Sequence, residues 1–237
     1  MQVTTARCTQ VEDIGHGRLR AQLETDLAPG PGQVVLARLS PADDPYLRRP
    51  LWPVHTRPDG FALELAPGDP ARPFLTPGTS VSLLGPVGRR ASPPTQPPAN
   101  VLLIANVHPD RLLPLAAPTL RVGGGVTLLL GRPYPIEALP PEIEIRSGHP
   151  AALISEYGGW ADRVYVHFDP ALPPDLTEQL RATFPHPEQV LVLLSPSMPC
   201  GTGACQACAV RLRRGWALVC RDGLLFDLME LALTADA

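Results

Sequence analysis

The chain has 237 residues, of which 44% are hydrophobic and 18% charged, a balance typical of folded globular proteins. Its formal net charge is −3 at pH 7, so bulk electrostatics give it no attraction to nucleic acid or to an anionic membrane. All 20 basic residues are arginines. Without lysine, Schiff-base chemistry and a phosphate-binding P-loop lysine are both excluded. The apolar runs are too short to span a bilayer and the N-terminus lacks a signal-peptide pattern, so we expect a cytoplasmic protein.

Residues 1–92 are predicted to form an antiparallel β-barrel of five or six strands. Proline- and glycine-rich turns separate short runs with β-branched or alternating residues, and this pattern is typical of small closed barrels. The predicted strands cover residues 3–8, 17–24, 33–39, 60–65 and 80–84. Between two of them lie Arg49 and Pro50. A guanidinium in an extended stretch is suited to bind a pyrophosphate, although an exposed Arg–Pro pair is more often an ordinary surface loop.

A proline-rich segment over residues 91–99 marks the start of a second region, predicted to be a small α/β unit over residues 99–186. Apolar strands alternate there with helical stretches, which favours a parallel sheet. The strands are predicted at 100–105, 126–130 and 164–167, and the helices at 111–117 and 175–183. The glycine-rich turn of a dinucleotide site is missing after the first strand. The glycine run 123–125 leads into a strand instead of leaving one, so we interpret it as a turn.

The C-terminal region, residues 187–237, contains the strongest motif of the chain. Four cysteines with the spacing C-x4-C-x2-C-x11-C lie there: Cys200, Cys205, Cys208 and Cys220. This is the plant-type pattern of a 2Fe–2S cluster. Gly201 and Gly203 suit the tight loop that such a cluster needs, because glycine adopts positive φ freely. A strand over 189–195 is predicted before the loop, and a hairpin between Cys208 and Cys220.

Two other readings of the cysteines remain open at this point. A structural zinc site usually takes its ligands as two close C-x2-C pairs, and only Cys205 and Cys208 form such a pair here. Disulfides would require an oxidising compartment. The fifth cysteine, Cys8, lies in a predicted strand far from the others, and we interpret it as a small buried apolar residue.

The stretches 198–210 and 220–227 around the four cysteines resemble the electron-transfer subunit of class 1B dihydroorotate dehydrogenase. That subunit belongs to the ferredoxin–NADP reductase-like superfamily, and the order of a flavin barrel, a nicotinamide domain and a C-terminal 2Fe–2S domain matches over the full length. The resemblance implies a multi-domain α+β fold. It also implies electron transfer between NAD, FAD, the cluster and a separate flavoprotein catalytic subunit in pyrimidine biosynthesis.

The family's site residues fall unevenly on this sequence. The four cysteines match as cluster ligands. The flavin motif Arg-Pro-x-Ser falls on Arg49, Pro50, Leu51 and Trp52, and the later Gly-Thr falls on Gly68 and Asp69. The two nicotinamide landmarks fall on residues 105–109 and 167–170, where the family's glycines are absent, which counts against NAD.

The resemblance therefore implies an electron-transfer subunit in a hetero-oligomer with a dihydroorotate dehydrogenase-like flavoprotein. We expect no nucleic acid or membrane partner. The sequence shows no catalytic triad or paired carboxylates, so no substrate-transforming site is assigned and no catalytic residue is named. The alternative is a diverged iron–sulfur scaffold or redox-sensing subunit that has lost nucleotide binding. The missing glycine turn favours this alternative, and the intact cysteine motif favours electron transfer.

Overall fold

The computed structural model describes residues 1–40, 47–96 and 99–232. The chain divides into two compact units, and the cysteine segment does not form a third one. The first unit comprises residues 1–90, 196–209 and 218–223, and the second comprises 91–195, 210–217 and the chain from 224 onwards. The boundaries predicted from the sequence, 1–92, 99–186 and 187–237, stay predictions.

The first unit is an antiparallel barrel, as predicted. Its strands are β1 (Gln2–Asp13), β2 (Leu19–Glu24), β3 (Val34–Arg38), β4 (Arg49–Leu51), β5 (Pro53–Arg57), β6 (Gly60–Leu65) and β7 (Ser80–Val87). A 3-10 turn, Arg72–Phe74, lies between β6 and β7. The sheet order is β4-β3-β7-β1-β2-β6-β5. The two edge strands, β4 and β5, were missed by sequence analysis because they are short and each carries a proline.

Trp52 lies at the seam of this barrel, which is the place where its two edge strands come together. It is the single residue between β4 and β5, which stand at opposite ends of the sheet order. Since one intervening residue spans only about 7 Å, the two edges must curl round until they nearly meet. The barrel interior is filled with buried apolar side chains, among them Cys8, whose side chain is fully buried in the core. The interpretation of Cys8 as a core residue is therefore confirmed.

The second unit is an α/β fold with a mostly parallel sheet. Its main elements are β8 (Asn100–Ala105), α1 (Leu113–Arg121), β9 (Gly125–Leu130), β10 (Glu144–Ser147), α2 (Pro150–Leu153), β11 (Arg163–His167), α3 (Pro174–Thr183) and β12 (Val190–Leu193). Three 3-10 turns, Pro109–Arg111, Ile136–Ala138 and Ile154–Tyr157, complete it. The three predicted strands and both predicted helices are present, whereas β10 and α2 were missed.

The cysteine region contributes short elements to both units. A hairpin of β13 (Ala209–Arg211) and β14 (Trp216–Leu218) is followed by a single turn, α4 (Val219–Asp222), and by β15 (Leu225–Asp227). The sheet of the second unit has the order β10-β9-β8-β11-β12-β15, in which only β15 is antiparallel to its neighbour. The strand predicted over 189–195 is present as β12 of this sheet. No helix among the described residues is both long and apolar enough to cross a membrane.

Candidate metal centre and nucleotide sites

The cysteine loop belongs to the barrel unit, and its glycines are required by its path. Gly201 and Gly203 have φ values of +68° and +82°, which side chains with a Cβ rarely adopt. A Cβ on Gly201 would lie 2.5 Å from Leu36 Cδ1 and 3.0 Å from Leu84 Cδ2. The loop therefore rests against the barrel at a point where a side chain would strain the backbone and displace Leu36.

Cys200 and Cys205 form the first pair of thiols. The backbone N–H of Cys205 donates a hydrogen bond to the Cys200 sulfur, and this bond is the main cause that lowers the pKa of the Cys200 thiol to about 6. The N–H of Thr202 also donates to this sulfur, at 3.4 Å. Cys205 is exposed and Cys200 is partly exposed. Backbone donors aimed at a sulfur stabilise the thiolate, which is the form that ligates iron.

Cys208 and Cys220 form the second pair, which is buried. The N–H of Val219 donates to the Cys208 carbonyl at 3.1 Å, so the hairpin between them brings the chain back beside Cys208. The two sulfurs consequently lie 3.3 Å apart. Burial, followed by the neighbouring Cys208, raises the pKa of the Cys220 thiol to about 12, while the Gly203 N–H acts in the opposite direction. Coordination to a metal deprotonates such a thiol outright.

The arrangement of the thiols in pairs fits a two-iron cluster better than one metal ion. A structural zinc site places four ligands around one ion. A plant-type cluster takes two thiolates on each of two irons, together with hydrogen bonds to its sulfurs. The residues present therefore fit the 2Fe–2S cluster.

The flavin motif lies on the edge strand β4 and at the barrel seam. Arg49 is exposed and has no hydrogen bond or ion pair within the described part of the chain. Its neighbour Arg48 is engaged differently, because its guanidinium donates to the carbonyls of Leu36 and Ser82 at 3.3 and 3.0 Å. Arg49 is thus the guanidinium available for a phosphate. Pro50 and Trp52 are partly buried, and Leu51 is buried in the core.

Gly68 and Asp69 lie in the turn that follows β6. In the β5–β6 pair, Pro53 is opposite Leu63, so the start of β5 and the end of β6 lie side by side. The topology therefore brings Trp52 and this turn to the same end of the hairpin. Asp69 is committed to the turn itself, since its Oδ1 accepts a hydrogen bond from the Ala71 N–H at 2.8 Å. Its carboxylate offers no donor to a phosphate.

The two segments that replace the nicotinamide landmarks meet at the carboxyl ends of β8 and β11. This edge of a parallel sheet is where ligands bind in such folds. The Asn106 amide spans the gap, donating to the Asp169 carbonyl at 3.0 Å and accepting from the Asp169 N–H at 3.1 Å. His108 adopts a left-handed conformation with φ 51°, and Pro109 has no N–H. Pro109 therefore offers no backbone donor to a pyrophosphate at this turn.

Behind this turn lies a buried polar cluster that sequence analysis missed. The fully buried His167 ring is 3.1 Å from the Leu193 carbonyl through Nδ1 and 3.1 Å from Arg111 Nη1 through Nε2. Burial and then Arg111 lower the pKa of His167 to about 4, so the ring is neutral at pH 7. Asp110, which is also buried, accepts from the Tyr134 hydroxyl at 3.5 Å. The only sequence signal was polar residues placed directly after two apolar strands.

Comparison with solved structures identifies the class of fold. The chain is similar to an NADH-dependent reduced ferredoxin–NADP oxidoreductase (20% identity, TM-score 0.73), covering 95% of this chain and 88% of that one. It is also similar to the ferredoxin reductase in carbazole 1,9a-dioxygenase (17% identity, TM-score 0.58), covering 80% of this chain and 68% of that one. A third similar structure is a type IV self-sufficient cytochrome P450 monooxygenase (13% identity, TM-score 0.63), covering 90% of this chain and 36% of that one. The fold is therefore that of the ferredoxin reductases. No curated protein matches the chain.

The cysteine segment matches a family model of its own. Residues 196–232 match the iron–sulfur cluster binding domain of dihydroorotate dehydrogenase B. The resemblance seen in the sequence is thereby confirmed: the chain is similar to the electron-transfer subunit of that enzyme, with a ferredoxin reductase-like fold and its iron–sulfur domain. The match supports an iron–sulfur cluster on this segment, and these findings support an electron-transfer subunit.

Proposed function

We propose that this chain passes electrons through a 2Fe–2S cluster to or from a flavoprotein catalytic partner of the dihydroorotate dehydrogenase type, in pyrimidine biosynthesis. The observation that carries the proposal is the arrangement of Cys200 with Cys205, and of Cys208 with Cys220, as two pairs within the matched segment. When bound, the cluster supplies one-electron transfer. The chain itself holds the irons, directs backbone N–H groups at the sulfurs and buries one pair of ligands. A cytoplasmic location and a hetero-oligomer belong to this proposal.

FAD is proposed as a second cofactor, bound at the barrel seam. The support is local: the exposed Arg49 side chain has no hydrogen-bond or ion-pair partner among the described residues, and Trp52 follows the strand that carries Arg49. Arg49 would pair with the pyrophosphate, since a guanidinium binds phosphate oxygens in bidentate fashion. Asp69 weakens the proposed site, because its carboxylate would repel a phosphate that came close.

NAD is not part of the proposal. The turn at residues 105–109 is closed by the Asn106 amide and contains Pro109 where a dinucleotide needs bare N–H groups. Asp110 places a carboxylate beside it. Electrons are therefore proposed to enter from another protein. The same observation favours the second candidate function, an iron–sulfur scaffold or redox-sensing subunit without nucleotide binding.

Anaerobic purification followed by metal analysis and absorbance spectroscopy tests the proposal. Iron and acid-labile sulfide should each be near two per chain, and the flavin and cluster bands separate FAD from the cluster. Cys208→Ser should lose the cluster, whereas Cys8→Ser, a matched change in the barrel core, should keep it. Stoichiometric zinc without sulfide would refute the proposal. A cluster that exchanges no electrons with any flavoprotein would favour the scaffold function.

A further inference from the structure

A polar cleft opens at the amino ends of β11 and β12, within the second unit. Its volume is about 470 Å³, which is in the range of small-molecule sites. Residues 158–159, which follow the third 3-10 turn of this unit, line one side of the cleft, and residues 183–188 at the end of α3 line the other. The candidate nucleotide turn lies at the opposite, carboxyl end of β11, so this cleft is a separate site.

Arg163 and Gln189 line this cleft side by side. Each precedes one member of the Val164–Val190 pair in the parallel ladder, so their side chains leave the same face of the sheet about 5 Å apart. Within the described part of the chain, the Arg163 guanidinium has no hydrogen bond and no ion pair, and its Nε is buried. Gln189 donates through Nε2 to the Ala161 carbonyl at 3.1 Å, but its buried Oε1 has no partner among the same residues. Two neighbouring polar atoms without partners indicate a site that a ligand completes, because such atoms are rare in folded proteins.

The cleft presents charges of both signs. The positive charge of Arg163 acts on the Tyr165 hydroxyl, but this hydroxyl is neutral at pH 7 because burial raises its pKa to about 12. Two carboxylates line the same cleft, those of Asp162 and Glu188. Asp162 accepts a hydrogen bond from the Asn100 N–H at 2.8 Å, whereas the Glu188 carboxylate has no hydrogen bond or ion pair with any described residue. Arg163 and Glu188 are therefore too far apart to pair with each other, and both charges are available to a ligand.

The backbone holds Glu188 in an unusual conformation. Its φ is +60°, a value that residues with a Cβ seldom adopt. The contacts around it fix this conformation, since the Glu188 N–H donates to Asp227 Oδ2 at 2.8 Å and the Gln189 N–H donates to the His186 carbonyl at 3.3 Å. Strained residues that their surroundings hold in place cluster at binding sites. The position of Glu188 at the cleft is therefore fixed by the fold.

We propose that this cleft binds a free α-amino acid. The Arg163 guanidinium binds the carboxylate of the ligand, and the Glu188 carboxylate binds its ammonium group. Arg163 and Gln189 thereby gain the partners that they lack within the described chain. A ligand with charge of only one sign would be repelled by Arg163 or by Glu188, and an apolar ligand would leave both charges uncompensated. This inference goes beyond the proposed function and does not depend on the iron–sulfur cluster.

Calorimetric titration of the full-length holoprotein with each standard L-amino acid tests the inference. Every amino acid that binds is compared with its methyl ester, which lacks the carboxylate, and with its N-acetyl derivative, which lacks the ammonium group. Inorganic phosphate is the purely anionic probe. We expect at least one amino acid to bind with a Kd of about 1 mM or lower. Both of its derivatives should bind at least about ten-fold more weakly, because each loses a charge-assisted hydrogen bond.

Arg163→Gln and Glu188→Gln each remove one charge from the cleft. Arg121→Gln and Glu142→Gln are the matched controls, because both residues are exposed in the same unit and lie outside the cleft. The cleft variants should weaken binding by about ten-fold or more, and the controls should stay within about two-fold of the unchanged chain. Glu188→Gly separates binding from folding, since glycine relieves the left-handed conformation. It should lose binding without lowering the midpoint of chemical unfolding.

Four results would overturn the inference. The first is that no amino acid binds, and the second is that the ester or the N-acetyl derivative binds as tightly as the free amino acid. The third is that phosphate binds more tightly than any amino acid, which would make the cleft an anion site. The fourth is that Arg163→Gln and Arg121→Gln have equal effects on binding.

Discussion

Replacement of Gly201 by alanine tests whether the cysteine loop depends on its contact with the barrel. The residue has a φ of +68°, and a left-handed conformation costs a residue with a Cβ about 1–2 kcal/mol. The new Cβ would also lie 2.5 Å from Leu36 Cδ1, inside a fully buried part of the core. Forcing an extra methyl into a packed core costs about 1–3 kcal/mol. We therefore expect Gly201→Ala to cost about 2–5 kcal/mol in total.

Two other glycines of the same region serve as graded controls. Gly203 has a φ of +82° and its Cβ would lie 3.1 Å from the flexible end of Leu218. Gly215, at the tip of the hairpin, has a φ of +89° and open space around it. The alanine variants of both should show mainly the backbone cost of about 1–2 kcal/mol. Iron content and the midpoint of chemical unfolding, followed through the visible absorbance of the cluster, measure the three variants.

A second change isolates the contact with Leu36. Leu36→Val removes the δ-carbons that the new methyl would strike, so it should restore part of the stability of Gly201→Ala, with a coupling of about 1 kcal/mol or more. If Gly201→Ala lost no more stability or iron than Gly215→Ala, the loop would not rest on the barrel as described. Strict additivity of the two changes would lead to the same conclusion.

Three further predictions concern the other sites. Because the pKa of His167 is about 4 in the folded chain, below its ordinary 6.5, its contribution to stability is complete above pH 6.5 and is lost as the pH falls towards 4; this amounts to about 3 kcal/mol. His167→Gln should flatten the dependence of unfolding free energy on pH over this window, and an unchanged slope would contradict the assignment. If FAD binds at the seam, Arg49→Ala should weaken flavin binding by roughly ten- to a hundred-fold, through loss of a charge-assisted hydrogen bond of about 1.5–3 kcal/mol, while Arg7→Ala should not. Stopped-flow mixing with NADH should leave the oxidised chromophores unbleached, and rapid bleaching at micromolar nucleotide would show that another part of the second unit binds the nicotinamide.

The sequence predicted the elements whose physical cause is local. Strands such as Asn100–Ala105 are largely unbroken apolar runs. The spacing of the four cysteines likewise predicts directly that they act together as cluster ligands. The edge strands of the barrel, Arg49–Leu51 and Pro53–Arg57, were not predictable in this way, because each is short and carries a proline, although each pairs with the strand next to it in the chain. Likewise, β12 lies in the sheet of the second unit because its neighbours are β11 and β15, which no local pattern reveals.

The sequence predicts the four cysteines as ligands, which stays a prediction, but it does not show their surroundings. Gly201 was expected to allow a tight loop, but its contact with Leu36 depends on how the chain returns to the barrel. The buried polar cluster around His167 depends on two parallel strands that end side by side. Arg111 comes from the turn after β8, and the Leu193 carbonyl comes from β12. The His167 ring is neutral because it is buried, and burial depends on the folded surroundings, which the sequence does not show directly.

The seam at Trp52 has a consequence for how the chain avoids aggregation. Until the barrel curls shut, β4 and β5 are open edges, and an open edge is a template on which strands of other chains assemble. Each of these strands carries a proline, Pro50 in one and Pro53 in the other. Proline has no N–H to donate, so neither edge presents a complete row of hydrogen-bonding groups. The two prolines thus protect the barrel against pairing with other chains before its edges come together.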